Sequence, residues 1–247
     1  MDIMSHPDYR KTGLFIHSAN AFFDYFGCPE RSSILYGFPG KYHFAIGEKY
    51  LKYEKIKPSV CYLKLHTSDL LTNQKAQKTK FGFKIKKVNK IDSSFDKLWN
   101  NYHTFYPLSV IRDAKFLNWR FMKHPFNKYE IWVYKNFISG NLKAYVILSR
   151  KDNKKVSIVD MLFPSSAEVV NDFFTKFVKV LYDQHIEIIE TWLPSNHFMI
   201  DLLKSIYFKS FTEPIGIIPT VRVFDPEMTI NWVSKSLYYT MADADLL

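Results

Sequence analysis

Apolar residues recur at spacings of three and four from Thr12 to Phe26, with Phe15 or Ile16, Ala19, Phe22 or Phe23, and Phe26 on one side. That is the period of a helix with one buried face. Gly27 stands where the pattern predicts a left-handed C-terminal cap. Before this helix, Ile3–Ser5 is a short apolar run that reads as a strand, and Pro7, lacking a ladder donor, stops it. The connection between the two is Tyr9-Arg10-Lys11-Thr12-Gly13. Ser33–Tyr36 then reads as a strand, Gly37–Gly40 as a turn, Lys41–Tyr50 as a short helix, and Val60–His66 as an alternating strand that closes this set.

From His66 to Asn89 the chain is polar and lysine-rich, the composition of an interdomain connection. The pattern beyond predicts helices at Phe95–Tyr102 and Asp113–Lys123, then strands at Tyr129–Tyr134, Leu142–Arg150 and Val156–Leu162. A long helix over Glu168–Gln184 follows, then strand Ile186–Trp192, helix His197–Tyr207 and strand Pro219–Phe224. Val170, Phe173, Phe174, Phe177 and Leu181 form the buried stripe of the long helix, and Ser165 with Glu168 reads as its capping box. Gly140-Asn141 marks the turn between the first two strands of the set. The expected organisation is a first domain over residues 1–66, a basic connection over 67–89, and a second domain over 90–247.

At 247 residues there is room for two modest cores. No apolar run reaches the roughly 18 residues a membrane span requires, and Asp2 and Asp8 spoil any signal-peptide reading, so a cytoplasmic protein is expected. Cys28 and Cys61 sit in no metal-ligand spacing and are expected as buried thiols. The net charge of +10 suits nucleic acid, an anionic membrane surface or an acidic small molecule. Seven lysines lie between Lys75 and Lys90 with no acid among them, but no aromatic residues are interleaved at regular spacing. A solvated loop is therefore favoured there over a single-strand binding track.

A basic loop opening a helix can cradle a diphosphate, because the free N–H groups of the first turn and the helix dipole both favour an anion. Gly13 lets backbone approach closely. The segment Met4-Ser5-His6-Pro7-Asp8-Tyr9-Arg10-Lys11-Thr12-Gly13-Leu14-Phe15 resembles the signature of the GNAT acetyltransferases: a strand, a proline turn, Arg or Gln, two residues, Gly, one residue, and Gly or Ala. Arg10 and Gly13 match, and Phe15 departs from the small final residue. The resemblance implies an α/β (α+β) fold of two GNAT-like mixed sheets flanked by helices, the first incomplete because the fold's front strands would precede Met1. Either the chain is N-terminally truncated or a split gene product, or a partner chain, a second copy or the other domain covers that sheet. It also implies acetyl-CoA or another acyl-CoA as cofactor. The amides of Lys11, Thr12, Gly13, Leu14 and Phe15, with Arg10, would hold the diphosphate, and the backbone of Ile3, Met4 and Ser5 would line the pantetheine arm. Tyr36-Gly37-Phe38-Pro39 resembles a bacterial GNAT-like subgroup from surface-polysaccharide settings.

The element order over residues 90–224 resembles the same arrangement, yet Phe163-Pro164-Ser165-Ser166-Ala167 stands in place of the cofactor loop without its Arg or Gly. The chain is thus similar to tandem GNAT-like proteins in which one copy keeps the loop, and no coenzyme A is expected at the second helix. Tyr36, beside the thiol, is the preferred proton donor. Asp160, inside an apolar strand, is either a base with a raised pKa or a paired structural acid. Arg112-Asp113 and Leu117-Asn118-Trp119-Arg120 resemble an element of the tandem subgroup. Arg112, Asn118 and Arg120 form either an anion clamp for a small acidic or sugar-like acceptor or a packing unit with Arg stacked on Trp119. Asn231-Trp232 to Asp243-Ala244-Asp245 resembles that subgroup's ending, whose acids either reach back into a cleft or lie in solvent. His6 and His17 lie near the cofactor segment. The readings are an acyl-CoA-dependent N-acyltransferase or a non-catalytic GNAT-like binding protein.

Overall fold

The computed structural model describes residues 6–9, 12–57, 59–73, 82–150 and 152–244. The chain divides into two units, Met1–Val60 with Glu213–Ser236, and Cys61–Thr212 with Leu237–Leu247.

The first unit contains α1 (Leu14–Phe26), β1 (Ile34–Gly37), α2 (Lys41–Leu51) and β2 (Glu54–Lys55). Its three-stranded antiparallel sheet is completed by a strand near the other end of the sequence, Thr220–Val223, which lies between β1 and β2 and pairs Ile34 with Val223 and Glu54 with Val221. Phe23, Phe44, Leu51, Ile56 and Val221 are buried in this unit. The Arg222 guanidinium lies 4.1 Å from the Phe23 ring centroid and donates to the Leu51 carbonyl, so its charge is placed over an aromatic face as the small core is sealed. Gly27 is not left-handed, as the pattern predicted. Its φ is −81°, and its N–H donates to the Phe23 carbonyl. Glycine is required there because a Cβ would run into the Phe224 ring.

The second unit holds β3 (Val60–His66), α3 (Thr67–Asn73), β4 (Phe83–Val88), α4 (Ser93–Tyr102) and α5 (Ala114–Leu117), the last continuing as one π turn to Met122. Then come β5 (Tyr129–Asn136), β6 (Leu142–Arg150), β7 (Lys155–Leu162), α6 (Ala167–Asp183), β8 (Ile188–Pro194), α7 (Met199–Ser205) and β9 (Lys209–Phe211). The strand at Thr220–Val223 is β10, and α8 spans Ile230–Ser236 in the first unit. The seven-stranded sheet runs β4-β5-β6-β7-β8-β3-β9, antiparallel from β4 to β7 and parallel between β7 and β8.

Each sheet thus takes a strand from the opposite half of the sequence: β3, expected to close the first set, pairs with β9, and β10, expected in the second, pairs with β1. The stretch read as a connection contains α3 and β4. Phe83 and Ile85 are half-buried while Lys84, Lys86 and Lys87 are exposed, and Phe83 stacks on Tyr134 with centroids 5.1 Å apart. Lysines on an edge strand keep it from pairing with another chain. The stripe of α6 is buried as expected, but its cap is Ser166 rather than Ser165, accepting from the Val169 N–H. Loss of Phe173 from that stripe would cost about 3–5 kcal/mol. Cys28 and Cys61 are half-buried, not buried.

Candidate functional site: an uncapped helix start and a buried ion network

Helix α1 begins at Gly13, whose φ of +79° is the left-handed conformation that glycine tolerates without strain. No side chain caps this start, and its first turn carries no acid. Thr12, Gly13 and Leu14 are exposed, so the free N–H groups of the turn face solvent. The Phe15 ring, whose size departs from the signature, turns to His43 on α2 with centroids 6.0 Å apart. His17 lies over Gly13, with its ring 3.2 Å from where a Cβ would stand. Ile3, Met4, Ser5, Arg10 and Lys11 lie outside the described residues.

Helix α6, aligned with α1 by the element order, starts in the opposite way. The Ser166 hydroxyl accepts from the Val169 N–H, and Glu168 occupies the first turn. Its donors are served internally and its charge repels an anion. Helix α2 also starts without a side-chain cap, but from Gly40 in an extended conformation.

The densest polar cluster lies in the second unit, inside the core. Arg112 donates from Nε to Asp160 Oδ1 at 2.9 Å, from Nη2 to Asp243 Oδ2 at 2.6 Å, and from Nη1 to the Val110 carbonyl at 3.1 Å. Its guanidinium lies 4.7 Å from the Tyr238 ring centroid. Asp160 also accepts from the Tyr145 hydroxyl at 2.7 Å and from Thr240 at 3.0 Å. Asp243 accepts from the Thr240 N–H at 2.7 Å, closing a reciprocal cap. Arg112 and Asp160 are fully buried. Burial pushes the Asp160 carboxyl above its ordinary pKa against the pull of Arg112. Burial works to lower the Arg112 pKa, but Asp160 and Asp243 outweigh it and hold the guanidinium charged. Each ion in the cluster is therefore paired and hydrogen-bonded, the condition for charge in a core.

His197 lies against this cluster, its ring centroid 4.6 Å from that of Tyr238 and 5.3 Å from that of Tyr106. Its Nδ1 accepts from the Met199 N–H at 3.4 Å, and its buried Nε2 has no hydrogen-bond partner. Burial and the nearby Arg112 charge carry its pKa down to about 3, so the ring is neutral near pH 7.

Among the residues predicted from sequence, Arg112 and Asp160 come together as a buried pair, not as an open clamp and base. Arg120 donates to the Ala242 carbonyl at 3.0 Å and the Ala244 carbonyl at 3.3 Å, and Asn118 donates to the carbonyls of Ile91 and Ala114. Trp119 is exposed, and the Arg112 guanidinium stacks on Tyr238 rather than on it. Asp243 reaches back into the core, while Asp245 lies outside the described residues. Tyr36 is half-buried on β1 opposite Val221 and belongs to the first unit, whereas Asp160 belongs to the second. Tyr145, Tyr238, Thr240 and His197 were missed. Only the apolar context of Tyr238-Tyr239-Thr240-Met241 could have flagged a buried terminal segment.

No family model matches the chain, and no curated protein matches it in sequence. Solved structures do. A GCN5-related N-acetyltransferase from Anabaena variabilis ATCC 29413 is similar at a TM-score of 0.55 and 13% identity, over 88% of this chain and 52% of that one. The chain therefore spans about half the length of that protein. A tandem GNAT protein from the clavulanic acid biosynthesis pathway is similar at a TM-score of 0.54 and 12% identity, over 91% of this chain and 74% of that one. A functionally unknown conserved protein from Staphylococcus epidermidis ATCC 12228 follows at a TM-score of 0.50 and 10% identity, over 88% and 81%. The strand and helix order of the mixed sheet and these likenesses lead to one conclusion about architecture: the chain has the GNAT fold.

Proposed function

We propose that the chain is an acyl-CoA-dependent N-acyltransferase, with acetyl-CoA as donor, built from two GNAT-like units of which the first binds the cofactor. The observation that carries this is the contrast between two helix starts. That of α1 is open, uncapped and glycine-led, whereas that of α6 is capped by Ser166 and carries Glu168. An anion gains at the first and is repelled at the second. The side of α1 fits the group as well, since Phe15 packs on His43 and leaves the Gly13 backbone exposed.

When bound, acyl-CoA supplies a thioester carbonyl open to attack by an amine. In this reading Arg10 and the amides from Lys11 to Phe15 hold the diphosphate, and the backbone of Ile3, Met4 and Ser5 runs beside the pantetheine. Tyr36 would give its proton to the departing thiolate as the new C–N bond forms and the C–S bond breaks, and would be reprotonated by the proton that the attacking amine loses. Its place on β1 of the same unit supports that role. The acceptor is a small acidic or sugar-like amine, consistent with the net charge of +10. Arg112, Asn118 and Arg120 are assigned to folding in place of acceptor binding, because their donors are spent on Asp160, Asp243 and main-chain carbonyls. Asp160 is likewise assigned to the ion network.

Calorimetric titration with acetyl-CoA tests the reading. The full chain should take up one equivalent, and Gly13→Val should weaken binding at least tenfold, since a side chain there is both strained at φ +79° and crowded by His17. Absence of heat from the folded wild-type chain overturns the assignment in favour of a non-catalytic protein of the same fold.

A further inference from the structure

Strands β7 and β8 pair at only three positions, Lys155 with Ile188, Val156 with Ile189 and Ser157 with Glu190. The register between β6 and β7 shifts beside Val159, and β7 continues to Leu162 while β8 continues to Pro194. Ile158 finds a partner for its carbonyl in the Thr191 hydroxyl at 2.9 Å. Beyond Ser157 and Glu190 the two strands are not paired with each other, although β7 stays paired with β6 to Leu162. Buried backbone of this kind needs partners.

The segment Leu237–Ala244 supplies one such partner and packs against side chains of both strands. The Tyr238 N–H donates to the Leu108 carbonyl, and its hydroxyl donates to the Met161 carbonyl of β7 at 2.7 Å. The Tyr239 ring meets Trp192 of β8 edge-on, with centroids 5.7 Å apart. Thr240 donates to Asp160 of β7, and Asp243 takes the second arm of Arg112. Arg120 holds the carbonyls of Ala242 and Ala244. Of its eight residues all but Asp243 are less than a tenth exposed, and that carboxylate is itself buried.

We infer that Leu237–Ala244 is an internal ligand of the crevice between β7 and β8, latched there by the Arg112–Asp243 ion pair, and that while it is seated this crevice admits no acyl-CoA. In the first unit the proposed pantetheine track is the segment Ile3–Ser5, which lies outside the described residues. The corresponding track here is β7, leading to α6, and the Tyr238 hydroxyl occupies it. The latch is separable from the sheet because Arg112 keeps Asp160, and its place over the Tyr238 ring, without it.

Hydrogen exchange on the full chain, read by mass spectrometry, tests this. In the wild type, amides of 237–244 should exchange at least a hundredfold more slowly than an unstructured peptide. In Asp243→Ala they should exchange at least tenfold faster than in the wild type, with 155–162 and 170–181 unchanged. Wild-type amides of 237–244 exchanging at unstructured rates overturn the inference. So does acceleration of the whole unit together in the variant, which would make the segment an ordinary part of the core. Saturating acetyl-CoA, added to the wild type, extends the test and rests on the proposed function. Protection should rise at 12–18 and not at 159–171. A rise at 159–171 overturns the sealed crevice, whereas no rise at 12–18 overturns the function and leaves the internal ligand standing.

Discussion

Replacing His197 with Phe should flatten part of the acid sensitivity of this protein. The imidazole is stacked against Tyr106 and Tyr238 with Nε2 buried and unpartnered, and burial with the Arg112 charge brings its pKa to about 3. In the unfolded chain it titrates near 6.5. The folded value is depressed, so the stabilisation is fully present above the unfolded pKa and is lost as pH falls towards the folded one. The window runs from about 6.5 down to about 3. At about 1.4 kcal/mol per pH unit the full loss approaches roughly 5 kcal/mol, of which about 2 kcal/mol falls between pH 7 and pH 5. Urea unfolding by circular dichroism, wild type against His197→Phe at those two pH values, isolates this contribution because every other titrating group is common to both. The variant should lose about 2 kcal/mol less on acidification. The variant gives up one long hydrogen bond, from the Met199 N–H, and removes the unpartnered Nε2, so it should retain the fold at pH 7. Equal losses in the two proteins would refute the buried, neutral histidine.

Two further substitutions probe the cores. Asp160→Asn leaves Arg112 with a neutral neighbour in a buried site and should cost about 3–5 kcal/mol in urea unfolding, the range for breaking a buried pair; a loss under 1 kcal/mol would show that the pair is open to water. Gly27→Ala places a methyl into the Phe224 ring and 2.6 Å from the Phe23 carbonyl oxygen, and should destabilise the first unit by about 1–3 kcal/mol, read as a lower thermal midpoint.

Much of the fold was legible because periodicity carries it. The bounds of Val60–His66 and Leu142–Arg150 match the observed strands, and the α6 stripe is the observed core face. The errors have physical causes. Phe83–Val88 alternates, but its lysines occupy the exposed face of an edge strand, so composition resembled a loop. Asp113–Lys123 reads as one helix, yet the chain switches to a π turn at Asn118, which residue spacing does not encode. Asp160 and Arg112 were recognisable as chemically unusual, but whether a charged residue faces a cleft or a buried counter-ion depends on Asp243, more than 80 residues away from Asp160. Gly13 was singled out for close backbone approach, but its left-handed conformation at the helix start was not read from the sequence, which placed that conformation at Gly27 instead.

Strand exchange between the halves of the sequence has a consequence that local reading does not reach. β1 pairs with β10, so Ile34 meets Val223, and β3 pairs with β9, so Tyr62 meets Phe211. Cutting at the boundaries suggested by composition would give a piece of residues 1–66 lacking the middle strand of its three-stranded sheet. The complementary piece of 90–247 would lack both β3 and β4 of its seven-stranded sheet. Without β10, β1 and β2 have no partner, and without β3 and β4 the interior strands β8 and β5 are bared, which favours aggregation over folding. Neither piece should therefore give a cooperative unfolding transition alone, whereas co-expression of 1–66 with a 67–247 piece, which keeps β4, should restore a soluble complex. A soluble, cooperatively folded 90–247 piece would mean that the interior pairing of β3 adds little to the sheet. Because both exchanged strands close contacts between distant parts of the sequence, loop-closure entropy must be met before either sheet is complete. Refolding of the whole chain should accordingly be slow for its size.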